Sequence, residues 1–191
     1  NRISANGTNL SVDKTAGDLH QSGIGFSVLT ESPNIKNIAL KVVVNLSISD
    51  RNGIISLSDF VIPGNYDNVG TVTAIPGSTN RATNQRLYLF NSGAVACQYG
   101  QTWYASLALA KAAISTEIYV TEPISESNGV LIAIISLRSG ATDLSLITDA
   151  EIFKASKFGE VSIGAAGSAT TNLQVAYNNS TSPEIILDST R

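Results

Sequence analysis

Apolar and polar positions alternate along much of the chain, most clearly from Ile38 to Ile48. Ile38, Leu40, Val42, Val44, Leu46 and Ile48 interleave with Ala39, Lys41, Val43, Asn45 and Ser47. Successive side chains of an extended chain point to opposite faces, so this spacing, rich in β-branched residues, predicts a half-buried strand. Asp50-Arg51-Asn52-Gly53 then predicts a turn, and Ile54-Ile55-Ser56-Leu57 a returning strand, which together make a hairpin. The turn holds Asp50 and Asn52 but lacks the rest of a calcium-loop pattern. Pro63 to Asn68 reads as a loop, and Val72 to Ile75 as a short strand ended by Pro76-Gly77. Arg86–Phe90 and Ala94–Tyr99 predict a second hairpin around Asn91-Ser92-Gly93. Ile118-Tyr119-Val120 reads as a strand end and Pro123 to Asn128 as a loop. Gly129 to Leu137 is the most apolar stretch and predicts a central buried strand, with Ala150–Phe153 as one more.

One stretch changes period. Gln101 to Ile114 is rich in Ala and Leu and free of Gly and Pro, and Trp103, Leu107, Ala110 and Ile114 share one helical face. It predicts the one main helix, about 101–114, with Trp103 in the core rather than presented to a sugar. The character changes again after Lys157-Phe158-Gly159. Residues 162–171 are almost all Gly, Ala, Ser and Thr. Thr171 is placed to cap a short helix with Leu173, Ala176 and Tyr177 on one face, and Pro183 to Leu187 reads as a short strand. Burying these few apolar anchors offsets only a fraction of the entropy lost in ordering such a tail. The tail is therefore expected to pack on the main domain or on copies of itself. The expected fold is α+β, predominantly antiparallel β with one main helix and a C-terminal short helix and strand that self-associate. The expected organisation is a β-rich arm and hairpin region over 1–65, an α+β module over 66–158 packed with it as one domain, and a linker with a trimerising stalk entrance over 159–191.

Composition narrows the chemistry. The chain has 191 residues, and only 14% are charged, with a formal net charge of −3. Ser, Thr and Asn together supply 56 residues, so polarity rests on small neutral side chains. That excludes a basic nucleic-acid binder and a highly charged disordered chain. His20 and Cys97 stand alone in their types. An intrachain disulfide is impossible, and the usual Cys- and His-rich zinc sites lack ligands. Cys97 reads as a small buried residue of its strand, and His20, in a Gly/Ser-rich stretch, as an exposed or capping histidine. The longest apolar run, Val130 to Ile135, is far too short to cross a bilayer. Methionine is absent, and the start at Asn1 reads as a cut or processed end. Gly23-Ile24-Gly25 lacks the third glycine and following helix of a phosphate loop.

Three functional classes follow. A structural and interaction module suits the low charge and small polar surface. A carbohydrate-binding domain would use Tyr66, Asp67, Asn68, Arg81 and Arg86, in or near loops, for stacking and hydrogen bonds. A polysaccharide-degrading enzyme needs a carboxylate pair. Asp18, Asp67, Asp143 and Glu151 are candidates only by elimination, and the expectation is no catalytic residue, no metal and no cofactor.

Several strings, in order, resemble a module of tailed-bacteriophage fibre and tail-spike proteins. They are Thr83-Asn84-Gln85-Arg86-Leu87-Tyr88-Leu89-Phe90, Gln98-Tyr99-Gly100-Gln101 with Tyr104, Ala113-Ile114-Ser115-Thr116-Glu117, Gly140-Ala141-Thr142-Asp143-Leu144-Ser145 and Lys157-Phe158-Gly159. Leu173 to Ser180 with Pro183-Glu184-Ile185 resembles the helix-then-strand element where such fibres knit into trimeric stalks. The resemblance covers roughly Tyr66 to Arg191. It implies a homotrimeric virion protein of the phage tail, outside the cell, that supports attachment to the host. Its partners would be other copies of itself, other tail proteins and host cell-surface polysaccharide, with no nucleic acid and no membrane insertion. Leu173, Ala176, Tyr177, Ile185 and Ile186 would form the oligomer interface.

Overall fold

Two long strands organise the chain because their side chains are buried on both faces. The computed structural model describes residues 2–20, 35–39, 41–43 and 45–155. In it, β10 (Ala82–Phe90) pairs antiparallel with β13 (Gly129–Arg138) from Ala82↔Arg138 to Phe90↔Gly129, with a bulge at Leu87/Tyr88. Outside β13 lies β14 (Ala150–Lys154). On the other side of β10 come β11 (Val95–Gln98), β6 (Leu46–Ser49) and β7 (Ile54–Ser58), in that order. The β11–β6 pair is parallel and its neighbours are antiparallel, so this seven-stranded sheet is mixed. Its seventh strand, β12 (Trp103–Tyr104), pairs with Ala82 and Thr83 beyond the reach of β11. The predicted central strand and both predicted hairpins are present.

Smaller sheets surround it. β1 (Ile3–Ala5), β2 (Val12–Lys14) and β5 (Lys41–Val43) form one antiparallel sheet, and β3 (Gly17–His20) pairs with β4 (Ile35–Ile38). One face of the large sheet and the N-terminal strands share a single core, in which Ile3, Val12, Leu46 and Ile48 pack with Leu87, Leu89, Ile135 and Leu137. The opposite face carries α1 (Leu107–Ala113) and the chain leading to α2 (Pro123–Asn128).

The structure corrects five expectations. The strand predicted over 38–48 is divided among β4, β5 and β6, in three different sheets. Asn45 has a left-handed backbone (φ 58°), which ends β5, and its N–H donates to Asp59 Oδ1 at 3.0 Å. The alternation persists because Ile38, Leu46 and Ile48 all face the same core. Second, the loop predicted over 63–68 contains β8 (Asn65–Asn68), which pairs with β9 (Thr71–Ala74) across Val69 (φ 51°) and Gly70 (φ 86°). Two positive φ values make this the mirror-image turn favoured in tight hairpins. A β-branched valine at the first of them disguises the signal.

Third, the helix predicted over 101–114 begins only at Leu107. Ser106 is extended and caps it, its hydroxyl accepting from Leu109 N–H. Before it, Gly100 holds the chain against β10, and Trp103 and Tyr104 join the sheet. Leu107 and Ala110 pack on Ala82, and Ile114 on Ile134 and Phe153, as the helical stripe predicts, but Trp103 is outside the helix. Fourth, the 123–128 loop is a helix. The Glu122 carboxylate accepts from Ile124 and Ser125 N–H at 3.0 and 2.7 Å, and Pro123 stands in the first turn, where a missing N–H costs nothing. Fifth, Ile118–Val120 is not a strand end, and its backbone pairs with no strand among the described residues. Gln101 replaces one, accepting from Val120 N–H at 2.9 Å and donating to its carbonyl at 2.6 Å. The helix and strand expected over 171–187, and the stalk entrance, lie outside the described residues.

Gly100 is required by close approach. A Cβ there would stand 2.8 Å from both the Asn84 carbonyl oxygen and the Thr83 Cβ. Gly100→Ala is expected to destabilise the fold by about 1–3 kcal/mol, read as a lower urea midpoint at unchanged slope. An unchanged midpoint would show that β10 yields there.

Candidate functional site

β10 presents Asn84, Arg86 and Tyr88 to the helical side of the sheet. Polar groups buried there need partners. Asn84 Nδ2 donates to the Ala110 carbonyl at 2.8 Å and to Glu117 Oε2 at 3.1 Å. Its Oδ1 accepts from Ser136 Oγ at 2.6 Å, across the registered Asn84↔Ser136 pair. One amide thus joins β13, α1 and the segment after α1.

Arg86 lies opposite Gln98 and Ile134. Its guanidinium carbon stands 3.5 Å from the centre of the Tyr119 ring, a cation–π contact. The Tyr119 hydroxyl donates to the Tyr99 carbonyl at 2.7 Å, which holds the ring in place. Tyr88 shares a 3.3 Å hydrogen bond with Thr121. Gln98 Nε2 donates to the Val120 carbonyl, and its Oε1 accepts from Glu122 N–H. Two buried atoms in this cluster have no protein partner, Arg86 Nε and Glu117 Oε1.

Burial dominates the electrostatics. It raises Glu117 above the usual carboxylate range, against the Asn84 hydrogen bond, the Arg86 charge and Tyr104. Tyr104 is pushed up to about 12 by burial and then by the Glu117 charge. Tyr119 is held well above its ordinary value by burial, so both phenols are neutral near pH 7. The arrangement therefore holds an unpartnered cationic donor and an unpartnered carboxylate acceptor, both buried, beside neutral phenols. A hydroxyl can accept from such a donor and donate to such an acceptor.

The residues predicted for ligand binding are not brought together. Asp67 is fully buried in β8. Its Oδ2 accepts from Arg51 N–H and Nε at 3.0 and 2.9 Å, and its Oδ1 from Gly70 N–H. Its own N–H donates to the Gly100 carbonyl. This carboxylate binds the β6–β7 turn to the β8–β9 hairpin and is unavailable to a ligand. Tyr66 is half-buried opposite Thr73, and Asn68 is exposed at the hairpin end. Arg81 lies 4.2 Å over the Trp103 ring and donates to the Pro76 carbonyl. Only Arg86 belongs to the cluster above.

The carboxylates considered for catalysis are likewise scattered. Asp18 accepts from Asn37 Nδ2 at 2.9 Å. Asp143 Oδ1 accepts from Ser145 N–H and Oγ, both at 2.7 Å, and Glu151 pairs with Lys111 at 2.8 Å. Cys97 is buried as expected, its thiol donating to Gln85 Oε1 at 3.2 Å, and burial pushes it up to about 12. Among the described residues no group of three or more His, Cys, Asp or Glu is placed to hold a metal, and no helix is long and apolar enough to cross a membrane. The predicted interface residues Leu173, Ala176, Tyr177, Ile185 and Ile186 lie outside the described residues.

Asn84, Tyr104, Glu117 and Tyr119 were absent from the sequence-based candidates. The readable signal is the polar run Thr83 to Arg86 at the head of a strand that ends apolar, with Asn84 paired to Ser136 in the most apolar strand of all. Searches of protein-family models, of curated proteins and of solved structures each found nothing that matches this chain.

The raised Glu117 sets a pH dependence. With its folded value above its unfolded one, the folded state holds the proton more tightly. Stability on this account falls as pH rises from the unfolded value through the folded one. Glu117→Gln removes that loss. Its urea midpoint is expected to exceed the parent's at pH 7 and to converge on it near about pH 4. A variant less stable than the parent at pH 7 would show that the charged form is net favourable.

Proposed function

We propose that this chain is a structural and interaction module of a phage tail fibre or tail spike, a homotrimer that supports attachment to the host surface. The observation that carries the reading is the β7 edge of the large sheet. Among the described residues β7 pairs with β6 alone, and Ile54, Ile55 and Leu57 are 51%, 51% and 66% exposed. Edge strands in proteins that work alone are commonly guarded by charge, proline or brevity. β7 carries only Ile, Leu and Ser. Its one guard is the bulge at Ile55, beyond which Ser56, Leu57 and Ser58 resume register with β6. Such an edge is suited to receiving another chain. The resemblance to fibre modules and the low charge point the same way.

Light scattering tests the oligomeric part. The full chain is expected at three times its monomer mass, and a chain ended at Gly159 at the monomer mass. A monomeric full chain at its highest soluble concentration overturns the trimer.

The Arg86 cluster supports a second reading, in which the domain binds host glycan directly. A guanidinium on an aromatic ring with an unpartnered carboxylate oxygen in the same cluster would suit sugar hydroxyls, and because Arg86 Nε and Glu117 Oε1 are both buried this reading requires the segment after α1 to open. On a glycan array a pure connector binds nothing. If the second reading holds, the chain binds a saccharide, and Arg86→Ala abolishes that binding.

A further inference from the structure

We infer that Asn6, in the loop between β1 and β2, is a site of spontaneous modification, where the side-chain amide closes on the Gly7 nitrogen, loses ammonia and opens with water to aspartate and isoaspartate. The inference concerns the N-terminal sheet and stands apart from the assembly and attachment proposed above.

The chemistry sets what such a site needs. The backbone nitrogen of the residue after Asn gives up its proton and attacks the side-chain carbonyl carbon. A C–N bond forms, the side-chain nitrogen leaves as ammonia with that proton, and a cyclic imide remains. Water then breaks one of the two imide C–N bonds. Cleavage on the side-chain carbonyl gives aspartate. Cleavage on the backbone carbonyl gives isoaspartate, in which the main chain runs through the former side chain. Ring closure is easiest where the next residue is Gly, which has no Cβ in the way. It also needs an N–H that is free and an amide that can turn.

The sequence holds three Asn–Gly pairs, Asn6-Gly7, Asn52-Gly53 and Asn128-Gly129. The fold blocks two of them. Gly53 N–H donates to Asp50 Oδ1 at 3.1 Å, and the Asn52 amide donates to the Gly70 carbonyl at 3.1 Å. A proton held on a carboxylate is harder to lose, because the negative charge opposes forming another beside it. Asn128 is the last residue of α2, and Gly129 N–H donates to the Ser125 carbonyl. Gly129 is also closely packed, since a Cβ there would stand 2.7 Å from the Ser125 carbonyl oxygen.

Asn6 differs in each respect. Gly7 is exposed, has a left-handed backbone (φ 67°) and is open, since a Cβ there would meet only Asn9 Nδ2, at 4.0 Å. Among the described residues neither Gly7 N–H nor the Asn6 amide has a hydrogen-bond partner. The Asn6 backbone is held, its N–H donating to the Ser11 carbonyl at 3.0 Å and its carbonyl accepting from Ser11 Oγ at 3.2 Å. The side chain is the part left to turn.

The loop also ties the N-terminal sheet to the rest of the fold. The Leu10 carbonyl accepts from Val61 N–H and the Asn9 carbonyl from Leu144 N–H, each at 2.9 Å. Isoaspartate at position 6 lengthens the main chain by a methylene and takes out of it the carbonyl on which Ser11 Oγ rests. Either product adds a negative charge to a chain already at −3. The modification therefore loosens the loop where it holds Val61 and Leu144.

Peptide mapping by mass spectrometry tests this on the full chain, incubated at mildly alkaline pH both folded and in urea. In the folded chain Asn6 is expected to convert at least about tenfold faster than Asn52 or Asn128, whose hydrogen bonds must first break. In urea the three are expected to convert at similar rates, because only the fold distinguishes them. Equal rates in the folded chain, or Asn6 slower than either of the others, overturn the inference. In the converted chain the Val61 and Leu144 amides are expected to exchange with solvent faster, with the β13 amides unchanged as a control. Conversion that leaves both amides as protected as before overturns the role given to the loop.

Discussion

Burying a row of polar side chains in the middle of a sheet is the constraint on which this structure turns. β10 lies between β13 on one side and β11 with β12 on the other, and it carries Thr83, Asn84, Gln85 and Arg86 in succession. Each buried polar atom left without a partner costs about 1–3 kcal/mol. The two faces meet most of the demand separately, leaving Thr83 Oγ1 and Arg86 Nε without a partner. On the core side, Gln85 donates to the Ile62 carbonyl at 2.6 Å and accepts from Cys97, which places the approach to β8. On the helical side, Asn84 fixes α1 through the Ala110 carbonyl, and Arg86 fixes the next segment through Tyr119. Where the chain lies after β11 is thus decided by what β10 must satisfy.

Local patterns made parts of this legible. The β6–β7 and β10–β11 hairpins follow from alternating runs around turn residues, and β13 from its unbroken apolar character. Asp50 Oδ1 accepts from Asn52 and Gly53 N–H, as its turn composition implies. What resisted reading was set by contacts distant in sequence. The apolar period of Ile38 to Ile48 reports the core that those residues face, and is silent on which sheet each one joins. The start of α1 depends on Gly100 meeting Asn84 across the sheet, which no helical stripe reveals. Glu117 and Tyr119 follow α1 in an irregular segment, so no period ties them to Arg86.

The few charged residues explain the character of the surface. Only 14% of the chain is charged, and several charges face inward. Asp67 and Glu122 are buried and bonded to backbone N–H groups, and Lys14 is buried with its ammonium on the Ala39 carbonyl. These groups hold turns and helix ends that a charge-rich protein would often hold with water. Less charge is left for the outside, and small neutral side chains and isolated apolar ones take its place.

That distribution bears on how the chain meets other molecules. Steering by charge needs a one-signed field, and a net charge of −3 over 191 residues gives a weak one. Backbone pairing along an open edge needs no charge and is insensitive to salt. Its specificity comes from alternate side chains fitting alternate pockets. The β7 edge and the Arg86 cluster therefore suit different partners. In the proposed readings the edge would take an extended strand, while the cluster, once opened, would present one donor and one acceptor to a neutral hydroxyl. The edge is on the outermost strand of the sheet and the cluster beneath the segment after α1, so association through one leaves the other free. A module of the proposed kind would join a larger assembly by its edge without engaging its helical face.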